Sequence, residues 1–414
     1  MSVSETVEIT GHLMDHGVLS RVLDDIREYN GDYTIDRFDV GRETDDMSHA
    51  VITVITDDDE GLQRLLMRLQ TRAVNMVDPG EAEVSLTLAD GVFPDGFYST
   101  TNLETRVRVD GRWLQVGNPE MDCGLILERN EDGEPVRVYT LPMSDVRSGM
   151  LVVCGASGIK VSIPKVDKGG EAFGFMESDV SSEKPQAVLV RQVADGMREA
   201  KAAGKKVLWV GGPGVVHTGA APAMVAMVDA GYVDVLFAGN ALATHDIESS
   251  LYGTSLGVDL AQGRGVEHGH EHHIRALNTI RKQGSIKAAV ENGVLTGGIM
   301  HALVRHEKKF VLVGSVRDDG PLPDVYTDVL DGQRAMRAEL TDVGFCLMVA
   351  TMLHSVATGN ILPASIPLVC VDINPATVTK LADRGSSQAR GIVTDVGLFL
   401  EQLAQELVED YRRA

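Results

Sequence analysis

The stretch Lys206–Gly219, KVLWVGGPGVVHTG, joins a short apolar run to a glycine-rich turn and the first turn of a helix. Apolar runs of this length return along the C-terminal half, separated by helical segments. We predict strands at these runs: Lys206–Val210, Val233–Ala238, Phe310–Val313, Pro367–Val371 and Gly391–Val393. Strands that alternate with helices pair in parallel through right-handed crossovers. The pattern therefore predicts an α/β domain built on a doubly wound, Rossmann-like parallel sheet.

Small or polar residues follow the predicted strands. Ligands of such sheets bind beyond the carboxyl ends of the strands, so these residues are candidate ligand contacts. The segments concerned are Gly239-Asn240-Ala241, Gly314 to Asp324, Asp372 to Pro375, and Thr394 to Gly397. An acidic side chain in this position accepts the ribose hydroxyls of a dinucleotide, or it caps the next helix. The sequence leaves both roles open for each aspartate.

Glycines after the first strand admit two explanations. The loop Gly211–Gly219 would let backbone N–H groups approach a phosphate at a helix N-terminus. It departs from the GxGxxG pattern because His217 occupies the third glycine position. A tight strand-to-helix turn alone would also require glycine.

Two other regions precede this sheet. Strand and helix periodicities between Val7 and Leu69 predict a β-α-β-β-α unit, and residues 84 to 155 carry short β-prone runs separated by turn residues. Val166–Lys184 has the composition of a linker. We predict three domains: a small α+β domain at 1–83, a β-rich domain with linker at 84–184, and a nucleotide-binding domain at 185–414.

Polar residues beside turns of the middle domain have the chemistry of an amino-acid site. Carboxylates bind an ammonium group, whereas lysine and amides bind a carboxylate. Candidates are Asn102, Asn118, Asp122 and Lys160. Turn formation explains most of these residues equally well. Lys160 is the one that folding requires least.

Histidines crowd the segment Gly265–His273, which contains His268, His270, His272 and His273. The spacing lacks the HExxH arrangement of a catalytic zinc helix. We therefore expect no metal, and interpret the segment as a loop and helix start whose imidazoles include hydrogen-bonding or acid–base groups.

Composition excludes several classes of function. The 414 residues carry a formal net charge of −22, which disfavours binding to nucleic acid or to an anionic membrane. No signal peptide or membrane-spanning run is present, and the four cysteines form no CxxC pair. We expect a cytoplasmic protein.

Several motifs together are similar to one family, the LOR/SDH-domain, archaeal-type NAD-dependent ornithine cyclodeaminases. They are Gly11–Gly17, Phe97–Asn102, Met121-Asp122, Gly158–Val161, Gly239–Ala241 with His245–Glu248, Gly314–Asp324, Thr351–Ser355 with Thr358–Asn360, and Val371–Pro375. The resemblance covers essentially the whole chain. The same family includes the C-terminal part of arginine dihydrolase/ornithine cyclodeaminase fusions, and its last domain resembles deoxyhypusine synthase.

The resemblance implies NAD as cofactor. It implies contacts from Asn240, Ala241, Asp318, Thr351, Met352, Leu353, His354, Asp372, Asp395 and Val396. The residue pattern alone also predicts ligand contacts at most of these strand ends. It assigns Thr351 to His354 to a helix.

The resemblance also implies conversion of L-ornithine to L-proline and ammonia, with NAD recycled internally. We expect Asp122 or Lys160 to accept the proton of the α-ammonium group, and Asn102 and Asn118 to bind substrate. A homo-oligomer, as in the family, is expected. The alternatives are a dehydrogenase or hydride-shuttling transferase acting on a saccharopine-like or deoxyhypusine-like amine, and a non-catalytic amino-acid sensor.

Overall fold

The computed structural model describes residues 2–13, 17–41, 46–163, 186–255, 258–259, 271–318, 320–383 and 389–412. The predicted linker and the histidines His268 and His270 lie outside these ranges. The chain divides into two compact units. The N-terminal unit comprises Met1–Val166 with Asn360–Ser365, and the C-terminal unit comprises Asp167–Gly359 with Ile366–Ala414. The division into three domains stays a prediction.

The first part of the N-terminal unit has the predicted β-α-β-β-α order. Its elements are β1 (Val3–Gly11), α1 (Val18–Glu28), β2 (Asp32–Asp39), β3 (Ser48–Thr56), α2 (Asp59–Gln70) and β4 (Asn75–Met76). The strands pair antiparallel in the order β2-β3-β1-β4. Alternate residues of β3 are buried, and α2 packs Leu65, Leu66 and Leu69 into the same core. Asp58 caps α2 by accepting a 2.7 Å hydrogen bond from the Gly61 amide.

The second part of the unit is β-rich, as predicted. Its strands are β5 (Glu83–Leu86), β6 (Glu104–Val109), β7 (Arg112–Gly117), β8 (Gly124–Arg129), β9 (Pro135–Leu141), β10 (Leu151–Cys154) and β11 (Ile159–Ser162). Their order is β11-β6-β7-β9-β8-β10-β5. β7 and β9 pair in parallel, and the other neighbours are antiparallel. The short β-prone runs predicted between residues 84 and 155 are therefore strands, and β11 adds a strand beyond residue 155.

A seven-stranded parallel sheet forms the centre of the C-terminal unit. Its strands are β12 (Lys206–Gly211), β13 (Val235–Gly239), β16 (Lys309–Val313), β17 (Val325–Tyr326), β18 (Val343–Val349), β19 (Leu368–Asp372) and β20 (Ala389–Val393). The order is β17-β16-β13-β12-β18-β19-β20. The chain thus builds outward from β12 on one side and from β18 on the other, and the order reverses between them. The Rossmann-like prediction is confirmed.

Helices connect these strands, and a short ribbon pairs β14 (Thr254–Ser255) with β15 (Val258–Asp259). The helices are α3 (Gln186–Ala202), α4 (Gly214–His217), α5 (Ala221–Asp229), α6 (Asn240–Tyr252), α7 (His272–Gln283), α8 (Ile286–Glu291), α9 (Ile299–Arg305), α10 (Val329–Ala338), α11 (Leu353–Ile361), α12 (Pro375–Asp383) and α13 (Val396–Leu407). None of the helices in the described ranges is long and apolar enough to span a membrane.

One central strand corrects the sequence analysis. β18 was not among the five predicted strands, although it pairs with both β12 and β19. Its sequence VGFCLMV is apolar throughout, because both faces of the strand are covered. A run without alternation does not distinguish a buried strand from a buried helix. The helix that the pattern placed over Thr351 to His354 begins only at Leu353.

A buried carboxylate holds the start of α9. Asp246 on α6 is 1% exposed, and its two oxygens accept hydrogen bonds from the amides of Ile299 and Met300, each 2.8 Å long. Gly298 precedes them at φ +91°, and a Cβ there would lie 2.8 Å from the Asp246 oxygens. The carboxylate thus satisfies backbone donors that a helix N-terminus otherwise leaves unpaired.

We expect Asp246→Asn to remove a pH dependence of unfolding. Burial raises the pKa of Asp246 to about 6, from 3.8 for the exposed group. The folded chain therefore retains a proton that the unfolded chain has released, and this contribution is lost as the pH rises through the folded pKa. Relative to the variant, the wild-type free energy of unfolding should fall by about 1 kcal/mol between about pH 5 and pH 7.5.

Chemical denaturation at a series of pH values measures this difference. Asp331→Asn, which changes an exposed carboxylate of α10 paired with Arg334, serves as the control and should follow the wild-type profile. A difference between Asp246→Asn and wild type that stays constant over the whole range would contradict the assignment.

Candidate functional site

The reversal of strand order places the loops after β12 and β18 side by side. Gly212 donates from its amide to the Val349 carbonyl at 2.9 Å. A Cβ on Gly212 would lie 1.9 Å from the Ala350 carbonyl oxygen, and one on Gly214 would lie 2.9 Å from the Ala350 Cβ. Only glycine permits this approach. Close packing between the two loops therefore accounts for Gly212 and Gly214, without a phosphate.

The N-terminus of α11 opens at the same place. Thr351 and Met352 follow β18 and lead into Leu353, the first residue of the helix, whose side chain is 72% exposed. A helix N-terminus at a topological switch point is a site for an anionic group, because its amides point outward. The strand that the sequence analysis missed is what gives these residues their position.

Asp372 ends the neighbouring strand β19, about 20 residues after Thr351. The carboxylate is 8% exposed, and its Oδ1 accepts a 2.8 Å hydrogen bond from the Asn374 amide. No hydrogen bond to Oδ2 is present within the described residues. An acidic residue at this distance beyond a phosphate-binding turn is the usual partner of a dinucleotide ribose. Ile373 beside it is 68% exposed.

His354 lies over the end of β13. Its Cε1 is 3.1 Å from where a Gly239 Cβ would stand, so glycine makes room for the ring. Burial lowers the pKa of His354, while the nearby Asp318 carboxylate raises it. Asp318 closes a turn after β16, because its Oδ2 accepts from the Ser315 amide at 2.7 Å. These two predicted cofactor contacts are therefore neighbours.

Asn240 begins α6 directly after β13. Its Oδ1 accepts hydrogen bonds from the Leu322 amide at 3.1 Å and the Thr244 hydroxyl at 3.2 Å. The amide side chain is 7% exposed and ties the helix start to the loop after β16. Ala241, the next residue, is half-buried.

Asp395 and Val396 have structural explanations. Asp395 caps α13 by accepting from the Leu398 amide at 2.7 Å, which is the capping role that the sequence left open. Val396 is 5% exposed and belongs to the hydrophobic core. Any contact with a ligand would have to come from their remaining polar atoms.

A buried imidazole–carboxylate group occupies α6, and the sequence analysis gave it no role. Glu248 is fully buried; its Oε2 lies 2.9 Å from Nδ1 of His245, and its Oε1 accepts from the Thr254 hydroxyl at 2.9 Å. The His217 ring lies 4.8 Å from the His245 ring, and burial lowers the pKa of His217. The i,i+3 spacing of His245 and Glu248 on one helix was the available signal.

Metal ligation finds no support in the described part of the chain, where no three histidine, cysteine or acidic side chains are arranged to hold an ion. His272 and His273 lie there, and Nδ1 of His272 is 2.8 Å from the Thr254 hydroxyl. The remainder of the predicted histidine cluster lies outside the described residues.

The segment Asn360–Ser365 of the N-terminal unit contacts two predicted site residues, Asn102 and Asp122. Asn102 is 1% exposed, and its Nδ2 donates to the Leu362 carbonyl at 3.1 Å, while its own carbonyl accepts from the Ala364 amide. The exposed Asp122 has φ +61°, and its Oδ2 lies 3.5 Å from Nδ2 of Asn360. The hydrogen bonds of Asn102 thus hold this segment in place, whereas the Asp122 carboxylate remains accessible.

Asn118 and Lys160 lie elsewhere in the same unit. Asn118 is exposed, at φ +44°, and its carbonyl accepts from the Thr140 hydroxyl. Lys160 lies on β11, and its Nζ is 4.0 Å from Oε1 of Glu8. Between β11 and β8, which follows Asp122, the sheet contains β6, β7 and β9. The fold therefore does not make the two predicted catalytic residues neighbours in the sheet, and their roles stay predictions.

Three family models match the chain. They describe the LOR/SDH bifunctional enzyme conserved region over residues 4–103, the first region of the C-terminal part of ArgZ-like arginine dihydrolases over 104–190, and the Rossmann fold of that part over 191–403.

Relatives extend the likeness to full length. The chain is 48% identical over 402 residues to an ornithine cyclodeaminase of Methanothermobacter thermautotrophicus, covering 97% of each protein. The crystal structure of apo ArgZ, an arginine dihydrolase from the ornithine–ammonia cycle in cyanobacteria, matches 98% of the chain with a TM-score of 0.84 and 34% identity. The chain spans 58% of that protein's length.

A second fusion protein has been solved with ligands. AgrE in ternary complex with ornithine and NAD⁺ matches 98% of the chain and 57% of its own, with a TM-score of 0.53 and 38% identity. AgrE is the bifunctional arginine dihydrolase/ornithine cyclodeaminase of Nostoc. Family models and relatives together cover nearly all of the chain. It therefore belongs to the LOR/SDH family that comprises archaeal ornithine cyclodeaminases and the C-terminal part of ArgZ-like arginine dihydrolases.

Proposed function

We propose that the protein is an NAD-dependent ornithine cyclodeaminase, an ammonia-lyase that forms L-proline and ammonia from L-ornithine. The observation that carries the proposal is full-length identity of 43–48% to archaeal ornithine cyclodeaminases, combined with a dinucleotide-type strand edge. Localisation in the cytoplasm and assembly into a homo-oligomer remain predictions from the sequence and the family.

The residues at the strand edge fit NAD. The N-terminus of α11 offers amides to a pyrophosphate, and Asp372, about 20 residues on, offers a carboxylate oxygen to ribose hydroxyls. Ile373 presents an exposed apolar surface beside that carboxylate. When NAD binds, the amides of α11 and the Asp372 carboxylate would hold its adenosine half. Asn240 and His354 would then be available to its nicotinamide half.

The chemistry needs a carrier that accepts hydride from the α-carbon and later returns it, and NAD would supply this function when bound. Loss of hydride would convert the α-carbon to an imine carbon, which the δ-amine would attack before ammonia leaves. Return of the hydride to the same carbon of the cyclic imine would give proline. No electrons are gained or lost overall.

The chain itself must bind the substrate and move protons. Either the accessible Asp122 carboxylate or, once deprotonated, the Lys160 amine can receive the proton of the α-ammonium group. Burial lowers the pKa of His354, which favours a neutral ring beside the strand edge. A neutral imidazole can donate one hydrogen bond without adding positive charge where hydride is transferred.

Three other functions remain as alternatives, and stoichiometry separates them. A dehydrogenase would release one NADH per amine oxidised, and a hydride-shuttling transferase would require a second amine. A sensor would bind ornithine and NAD without forming product. The small β-α-β-β-α unit, which resembles regulatory domains, is the feature that favours the sensor.

We expect proline and ammonia in equal amounts from ornithine with NAD present only in catalytic quantity. L-Ornithine deuterated at the α-carbon should give proline that retains the deuterium at the same carbon, because the hydride removed is the hydride returned. Amino-acid chromatography, mass spectrometry and absorbance at the NADH band provide the measurements.

Added unlabelled NADH is the control for exchange, and it should not dilute the label if the cofactor stays bound. Loss of the deuterium to free NADH, or one NADH for each ornithine consumed, would rule out internal recycling. Absence of product while both ligands bind would favour the sensor.

Asp372→Asn should weaken NAD binding by about tenfold or more, because a hydrogen bond to a charged acceptor is replaced by one to a neutral amide. The KM for NAD should rise, and turnover at saturating NAD should change much less. Calorimetric titration with NAD measures the dissociation constant directly.

The matched control is Asp229→Asn, an exposed carboxylate of the same unit that pairs with His306. This variant should keep wild-type NAD affinity. Equal affinities for Asp372→Asn and wild type would remove Asp372 from the cofactor site.

A further inference from the structure

The N-terminal unit contains a cavity that none of the assigned cofactor residues lines. Its volume is about 440 Å³, and its lining comes from the loop after β4 and from strands β6, β7 and β11. The lining residues are Met76, Val77, Asp78, Pro79, Arg106, Arg108, Trp113 and Lys160. Lys160, which belongs to a motif that the chain shares with the family, thus lines a pocket of the N-terminal unit.

Two cations lie side by side in the lining of this pocket. Lys160 on β11 is the direct antiparallel partner of Arg106 on β6. Like charges in directly opposite positions destabilise a strand pair. Arg106 donates from Nε to the Gln115 amide oxygen at 3.0 Å, and within the described residues it forms no ion pair. Lys160 comes only to 4.0 Å of Glu8. An anion bound between the two side chains would relieve this repulsion.

The third cation is already paired. Nε of Arg108 lies 2.9 Å from Oε1 of Glu81, and its cross-strand partner on β7 is Trp113. Arg108 therefore closes one side of the pocket and contributes little free positive charge. Of the three cations, Arg106 has no ion pair within the described residues, and Lys160 has only the long 4.0 Å contact with Glu8.

An acidic and an apolar surface complete the lining. Asp78 lines the same cavity, and no hydrogen bond or ion pair of its side chain is present in the described part of the chain. Met76, Pro79 and the indole of Trp113 supply apolar contacts. A ligand that satisfies both ends carries a carboxylate for the cations, an ammonium for Asp78 and a hydrocarbon stem. A free α-amino acid has these three features.

We propose that this pocket binds a free α-amino acid, with its carboxylate between Arg106 and Lys160 and its ammonium at Asp78. The inference does not depend on the proposed cyclodeaminase reaction, because amino-acid binding would survive if the chain made no proline. It also gives Lys160 a carboxylate-binding role. The occupant can be the substrate, the product or a third amino acid that regulates the enzyme.

Tryptophan fluorescence reports on this pocket. The chain has two tryptophans: Trp113 is 41% exposed at the pocket, and Trp209 is fully buried in the core of the other unit. We expect titration of the full-length protein with L-ornithine, L-arginine and L-proline to change the emission of Trp113 for at least one of them. Acetate and putrescine, which lack one of the two charged groups, should produce no change at the same concentrations.

Variants assign the signal. Trp113→Phe should abolish it, and Arg106→Gln and Asp78→Asn should each weaken binding by at least about tenfold, since each removes a charge-assisted contact. Arg106→Lys should recover part of the affinity. Arg137→Gln is the control, because Arg137 pairs with Glu128 across β8 and β9 outside the pocket.

Calorimetric titration accompanies the fluorescence, so that a silent binding event is still detected. Absence of heat and of emission change with all three amino acids would overturn the proposal, as would unchanged affinity in Arg106→Gln. A response that persists in Trp113→Phe would place the binding elsewhere. Which amino acid binds distinguishes a substrate or product site from a regulatory one, and the deuterium experiment tests the cyclodeaminase independently.

Discussion

The approach of two loops at the switch point of the parallel sheet is the constraint on which the C-terminal unit depends. With 1.9 Å between the Ala350 carbonyl oxygen and the position of a Gly212 Cβ, any side chain at residue 212 would force β12 and β18 apart. Ala350 itself has φ +53°, a conformation that is uncommon for a residue with a side chain. This turn leads the chain from the end of β18 into α11. The position of the helix N-terminus, and of the predicted cofactor contacts that follow Ala350, therefore depends on a contact between two backbones.

The sequence predicted much of this edge, but not its centre. Strands such as β12 and β19 are recognisable because their apolar runs stop at glycine or aspartate, and on that ground alone the residues after them are predicted to contact a ligand. β18 has no such boundary in its pattern, since VGFCLMV continues into Ala350 and a helix. Thr351 to His354 could therefore be identified only by resemblance. The position of these residues has a topological cause, because they follow β18, the strand at which the order of the sheet reverses.

Contacts between residues far apart in the chain set the second limit. Asn102 was a plausible substrate ligand because amides bind carboxylates, yet its side chain donates to Leu362, 260 residues away. Likewise, nothing local indicates that Lys160 stands opposite Arg106, because strand register comes from the assembled sheet. Residue type predicted which side chains could carry chemistry, whereas pairing decides which of them are already used. The β-rich fold was predictable from turn spacing, but the residues that surround Lys160 in the proposed amino-acid pocket were not.

Three buried acidic residues of the C-terminal unit look alike in the sequence but differ in how many of their oxygens accept hydrogen bonds. Both oxygens of Asp246 accept backbone amides at the start of α9, and both oxygens of Glu248 are engaged by His245 and Thr254. Only one oxygen of Asp372 has a partner within the described residues. Because a buried carboxylate is costly unless its oxygens are satisfied, the second oxygen of Asp372 can accept a hydrogen bond from water or from a ligand. Its place at the carboxyl end of β19 is the reason we propose a ribose hydroxyl as that donor.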